Sequence, residues 1–213
     1  MNANEIYNEL LNAYGKPRWW SDDAFTVMFQ AVLVQNTAWS SVEKTCEPFK
    51  DKLSPKFIAS LSDEELQKLI APCGFYKSKA RTIKLLVKWF EKYNYSVQET
   101  QKVPLQTLRN ELLSLKGIGA ETADVILVYA LYQPSFIIDA YTRRFLSRLG
   151  FDFEDDEKIR IFFENNLPKD ARIYGYFHWL ILDHCISVCR KTPLCGECKM
   201  NRECKSLIHF GSK

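Results

Sequence analysis

Two clusters of residue types in this sequence are spaced for chemistry. The first runs Leu115-Lys116-Gly117-Ile118-Gly119-Ala120-Glu121-Thr122-Ala123-Asp124, with Asp139 one helical pattern further on. Two glycines one residue apart, between amphipathic patterns, make a tight turn whose amides can approach a phosphate with no Cβ in the way. Amides at the start of the second helix add a partial positive charge. Contacts of this kind hold a nucleic-acid backbone without reading its sequence. The same turn can also serve only to connect two helices. A carboxylate beyond it can stabilise positive charge on the neighbouring sugar and orient a water. Alternatively it only caps a helix, a role worth about 1 kcal/mol.

The second cluster is Cys189, Cys195, Cys198 and Cys204, spaced C-x5-C-x2-C-x5-C. These are four of the seven cysteines, and their crowding points to metal and not to disulfides. Tetrahedral zinc sites more often pair two C-x2-C units across a longer finger. One close pair with two outlying thiols better suits a [4Fe-4S] cluster, with zinc or free thiols as the alternatives. Cys185 is a substitute ligand or a core residue of its helix, and Cys46 and Cys73 read as structural thiols. Arg190, Lys191, Lys199, Arg202 and Lys205 surround the cluster, either as a phosphate grip or as a solvated surface. His178, His184 and His209 show no ligand spacing and read as structural or surface residues.

The elements that must position these groups are helical. Period-2 alternation is nearly absent, while Ile83, Leu86, Val87 and Phe90 fall on one helical face. Leu105, Leu108, Leu112 and Leu115 repeat the pattern after Pro104, which suits a first turn. Ser62 and Glu65 form a capping box, and Ser21 is placed to cap a helix through Phe25, Met28, Phe29 and Val32. Val125–Leu131 is apolar nearly all round, as a buried central helix would be. Asp139 can cap a helix over 140–149 that Gly150 ends, and 174–186 reads as another apolar helix. The expectation is an all-α fold of about ten short helices.

A net charge of +3 is only mildly basic, so a nucleic-acid surface must be a local patch. Lys77, Arg81, Lys84 and Lys88 form one such stripe, facing phosphates or simply solvent. The chain has neither an apolar run of the ~20 residues a membrane span needs nor a signal pattern over 1–14, and reads as cytoplasmic.

Helix, Gly-x-Gly turn, helix, a later aspartate and C-terminal cysteines together resemble the endonuclease III branch of the helix-hairpin-helix (HhH-GPD) DNA glycosylase superfamily. Ala31-Val-Leu-Val-Gln-Asn-Thr37 resembles its DNA-filling segment, and Gly74-Phe-Tyr-Lys-Ser-Lys-Ala80 its Gly-x-Tyr-x-x-Lys-Ala element. Ile138-Asp-Ala-Tyr-Thr-Arg-Arg144 resembles its aspartate-bearing helix start. The resemblance implies two α-helical lobes with double-stranded DNA bound across the cleft. One is a six-helix barrel over 22–133, with the hairpin at about 106–132; the other joins 1–21 to 134–213 and carries the cluster loop over 189–204. It implies a nucleoid-associated monomer with Asp139 as the catalytic carboxylate. The expected DNA contacts are Gln35, Lys77, Lys116, Gly117, Gly119 and Arg143, with Gln35 filling the vacated base stack or merely capping a turn. The family's cluster usually has six residues between its first two cysteines, and this chain has five.

Bifunctional members carry a lysine two residues after the second hairpin glycine, where it attacks the sugar as a Schiff-base nucleophile. Here Glu121 stands at that position. The resemblance therefore implies a monofunctional enzyme that uses water and leaves an abasic site. The adenine-excising mismatch branch needs a glutamate where Ala31 stands. No general acid for a leaving base is evident, which favours an N-alkylated purine such as 3-methyladenine, already cationic and ready to leave. Such a base stacks on aromatic rings. Trp19, Trp20 and Trp39, with Glu121, are the expected base pocket, with ordinary core packing as the alternative for each tryptophan. The segments around them resemble endonuclease III-type 3-methyladenine glycosylases. Uracil, mismatched thymine or an oxidised pyrimidine is the alternative substrate. A DNA-binding module without catalysis is the alternative of another class, against which Asp139 argues.

Overall fold

The computed structural model describes residues 1–49 and 51–206. Among these it contains twelve α-helices and no strand. The chain separates into two compact units: Trp20–Gln133 is one, and Met1–Trp19 with the chain from Pro134 onward is the other.

The Trp20–Gln133 unit holds α2 (Ala24–Leu33), α3 (Trp39–Cys46), α4 (Pro55–Ser60), α5 (Asp63–Ile70), α6 (Tyr76–Glu91), α7 (Val97–Thr100), α8 (Leu105–Ser114) and α9 (Ala120–Val125). The chain continues from α9 into one π-helical turn, Ile126–Ala130. The core is the apolar face of α6, with Ile83, Leu86, Val87 and Phe90 buried as their spacing requires; α6 packs on α2, which packs in turn on the π turn. The apolar 125–131 stretch is buried throughout, but the wider turn over 126–130 departs from the expected regular helix. Ser62 and Glu65 form their capping box. The expected cap at Ser21 falls instead to Asp23, whose carboxylate accepts the Thr26 amide at 2.7 Å. Ser21 accepts the Asp23 amide at 3.1 Å, one step upstream.

The other unit holds α1 (Ala3–Tyr14), α10 (Ala140–Leu149), α11 (Asp156–Asn166) and α12 (Ala171–Ser187). Its core joins Ile6 and Leu10 of α1 to Phe145, Leu146, Phe163, Tyr174, Phe177 and Ile181. Phe136 stacks on Phe163 with centroids 3.7 Å apart. Each such ring contributes about 1.5–3 kcal/mol by leaving water. Asp139 caps α10 and Gly150, at φ 91°, ends it.

Candidate active site and cysteine loop

The hairpin is built by ties from outside its own turn. Gly117 has φ 97°, and a Cβ there would lie 2.1 Å from Thr82 Oγ1, so no larger residue fits. That hydroxyl is 3.0 Å from the Lys116 carbonyl. Gly119 is different: its φ of −93° suits any residue, and a Cβ there would meet open space. Its lack of a side chain keeps the approach to α9 clear. Arg109 of α8 grips Asp124 of α9 through two bonds of 2.8 and 3.1 Å, and Asp124 is buried. Glu121 sits exposed in the first turn of α9, where a carboxylate complements the helix dipole.

Gln35 follows α2, and its carboxamide donates to the Gly117 carbonyl at 3.0 Å and to Thr122 Oγ1 at 2.9 Å. In this structure it braces the hairpin turn. Lys79 is buried, and its ammonium donates to the carbonyls of Leu33 (2.7 Å) and Cys73 (2.9 Å) and to Thr37 Oγ1 (2.7 Å). It thereby ties the segment after α2 to the turn before α6, and burial draws its pKa below the ordinary lysine value. At that turn Phe75 is 72% exposed and left-handed, at φ 46°. Phe75 lies in the Gly74–Ala80 segment, and an exposed aromatic on a left-handed backbone is a candidate contact position there.

Trp20 and Trp39 meet edge to face with centroids 5.3 Å apart, and Tyr129 of the π turn meets Trp20 at 5.5 Å. The Trp20 indole donates to Gln30 Oε1 at 2.8 Å, while Trp39 is 37% exposed. Trp19 belongs to the other unit. There it packs edge-on to Tyr176 at 5.7 Å, with the Arg172 guanidinium over its ring at 5.3 Å. The expected tryptophan trio is thus a pair with Tyr129, plus a separate Trp19–Tyr176 contact. Lys77, Arg81 and Lys88 are exposed. Lys84 leaves the stripe, because its ammonium donates to the Ile58 carbonyl at 2.8 Å and to those of Ala59 and Leu61 at the end of α4. Arg143 forms a two-pronged pair with Asp156, so its expected phosphate contact competes with an internal carboxylate.

Asp139 is 4% exposed. Its Oδ1 accepts the Thr142 amide at 2.6 Å, and its Oδ2 lies 3.5 Å from His178 Nε2. Burial pushes the carboxyl up, but the hydrogen bond and charge of His178 and the Thr142 amide outweigh it and hold the pKa below the ordinary value. His178 was expected to be structural or surface; it is the side chain on the carboxylate. His184 is buried, with Nδ1 2.7 Å from the Tyr14 hydroxyl. His209 lies outside the described residues.

Cys189, Cys195, Cys198 and Cys204 all line one small cavity, with Val188, Pro193, Arg148 and Ser206 completing the wall. Cys185 is not among these residues and packs in the α10–α12 core. Arg148 ties the loop down, donating to Cys189 Sγ at 3.1 Å and to the carbonyls of Cys189, Arg190 and Lys191. The neighbouring Cys185 thiol, with His184 and the Arg148 guanidinium, holds the Cys189 thiol well below its ordinary value against its burial. Among the described residues no His, Cys, Asp or Glu group is arranged to hold a metal ion.

Over residues 29–169 the chain matches the model of the HhH-GPD superfamily base excision DNA repair proteins. The chain belongs to that family. A Methanocaldococcus jannaschii protein named "Putative DNA repair glycosylase MJ1434" is 42% identical over 209 residues, covering 95% of each chain. The structure of Helicobacter pylori 3-methyladenine DNA glycosylase bound to 1,N6-ethenoadenine is 30% identical with a TM-score of 0.73, covering 86% of this chain and 97% of that one. A non-covalent endonuclease III–DNA complex superimposes with a TM-score of 0.81 over 100% of both chains; at 23% identity it shows the shared fold. The HhH-GPD chain described here is thus an all-α DNA glycosylase of the base excision repair family, with its family match spanning the hairpin and Asp139.

Proposed function

We propose that this HhH-GPD protein is a monofunctional DNA glycosylase that hydrolyses the N-glycosidic bond of a flipped, N-alkylated purine such as 3-methyladenine. The observation that carries the reading is Asp139, a buried carboxylate held in its charged form by the Thr142 amide and His178. A protein that only bound DNA would gain from it no more than the α10 cap, about 1 kcal/mol. A glycosylase needs one, because breaking the bond leaves positive charge on the sugar. The base must first leave the helix stack. Hairpin amides around Gly117 and Gly119, with Lys116 and Lys77, hold the backbone. Gln35 lets go of Gly117 to fill the gap, and exposed Phe75 wedges beside it. Asp139 then orients and deprotonates the attacking water as the base departs.

Glu121 supports the hydrolytic reading, since a carboxylate in the first turn of α9 cannot form an imine. The aromatic group of Trp20, Trp39 and Tyr129 supports a flat cationic base, and the H. pylori 3-methyladenine glycosylase is a relative of matching fold. Four thiols lining one cavity are the donor set a [4Fe-4S] cluster takes, and Cys189, Cys195, Cys198 and Cys204 would hold it by drawing closer than they stand here. A bound cluster would cross-link, through these four cysteines, the loop that Arg148 already anchors. Visible absorption with iron analysis checks this; stoichiometric zinc would contradict it.

The test of the reaction is release of free base from duplexes bearing 3-methyladenine, 7-methylguanine, uracil or an oxidised pyrimidine. The expected result is release of an alkylated purine, an uncut abasic strand and no covalent complex on borohydride treatment. Release of uracil or another pyrimidine alone would move the substrate. A borohydride-trapped complex would overturn the monofunctional reading, and release of nothing would leave a DNA-binding module.

A further inference from the structure

The two oxygens of Asp139 are held from different helices. Oδ1 takes the Thr142 amide of its own helix, α10, at 2.6 Å. That is the bond any capping aspartate makes. It fixes one oxygen, but the last torsion of an aspartate is broad, so the carboxylate plane still has freedom. Oδ2 faces His178 Nε2 at 3.5 Å, and His178 belongs to α12.

His178 is itself held. It is 5% exposed on a helix of 17 residues that packs against α10. Tyr174 one turn before it and Ile181 one turn after are fully buried, which leaves the imidazole little room to turn away. A partner that cannot move defines the plane of the group it holds. The Thr142 amide engages one lone pair of Oδ1 and the imidazole approaches Oδ2 at 3.5 Å, which leaves lone pairs on both oxygens for water or for the sugar cation.

We infer that His178 is the positioning residue of the excision reaction, fixing the plane of the Asp139 carboxylate against the attacking water. The inference rests on the reading of Asp139 as the catalytic carboxylate. It assigns a function to a buried histidine that otherwise looks like a core hydrogen-bond filler.

The experiment compares wild type, His178→Phe, His178→Gln and Asp139→Asn on whichever of the 3-methyladenine and uracil duplexes the enzyme processes. Single-turnover excision rate, duplex Kd and melting temperature are measured for each. His178→Phe keeps the ring volume and removes the donor; it is expected to bind the duplex within about twofold of wild type and excise at least tenfold more slowly. His178→Gln restores a donor and recovers most of that loss. A residue that only fills the core would not be rescued by a smaller amide. Should the Phe variant fail to fold, His178→Asn, which is polar but too short to reach Oδ2, takes its place with the same expected slowing. A wild-type excision rate in the Phe or Asn variant overturns the inference, as does a Gln variant as slow as the Phe variant. Asp139→Asn separates the two readings. If it alone excises at the wild-type rate, the Asp139 mechanism fails; if it is inactive while His178→Phe is not, only the role of His178 fails.

Discussion

The hairpin turn and the Asp139 cap are both helix starts, and they are built in opposite ways. At the hairpin the backbone is exposed and every tie comes from behind it: Thr82 at Lys116, Gln35 at Gly117, and Arg109 on Asp124. The turn itself offers amides, and the buried charge behind it, Asp124, is taken up by Arg109. At Asp139 the charge is hidden, and its ties are one amide of its own helix and one imidazole of another. A surface that grips phosphates can be rigid and wet. A carboxylate that must stay charged and face a cation has to be dry, and then needs donors to remain ionised. On the proposed function, the difference separates holding DNA from reacting with it.

The largest expected break falls on the hairpin staple. Asp124→Ala leaves Arg109 without its buried partner and should cost about 3 kcal/mol, the lower end of the range because Arg109 is partly exposed. Thermal unfolding would show it as a fall of roughly 5–10 °C; an unchanged melting temperature would mean the pair is not holding α8 to α9. Next is the contrast between the two glycines. Gly117→Ala drives a methyl into Thr82 at a left-handed position and should cost about 1–3 kcal/mol and raise the duplex Kd by roughly tenfold. Gly119→Ala should leave stability untouched and weaken binding only a few-fold, by crowding the phosphate. Equal stability losses at the two positions would contradict the comparison.

The Asp139 side has its own signature in pH. A folded pKa below the unfolded one means that its contribution to stability is present above the unfolded value and is lost as pH falls through the folded one. Excision should therefore stay flat from neutral pH down to about pH 4, the ordinary carboxylate value. A rate that halves between about pH 6 and pH 5 would show that the carboxyl is not held ionised. The smallest effect is at the exposed stripe. Lys77→Gln should weaken binding a few-fold for every duplex alike and lower the salt slope by about 1, whereas Lys84→Gln should act on stability through α4.

Local rules made much of this readable in the sequence. The capping box at Ser62, the Asp139 cap, the Gly150 stop and the buried face of α6 are all set by residues within a turn of one another. Local rules compete at the start of α2: Ser21 and Asp23 are both good caps by type, and only the entry path of the chain decides for Asp23. The π turn at 126–130 has no local marker, because an all-apolar stretch reads the same in either helix. Lys84 looked like part of a basic stripe because periodicity cannot see that the carbonyls ending α4 lie within its reach. His178 was invisible for the same reason, since its partner stands far away in sequence and no spacing rule joins α10 to α12. The cysteine loop was legible by spacing, whereas the fork of Arg148 that ties it down was not.

The most direct test of the account is single-turnover base release by Asp139→Asn, measured beside its affinity for the same damaged duplex. Asparagine keeps the size and can still cap α10, but it carries no charge and takes no proton from water. The account predicts a fall in rate of about a thousandfold or more with binding retained. A variant that excises at the wild-type rate would contradict it.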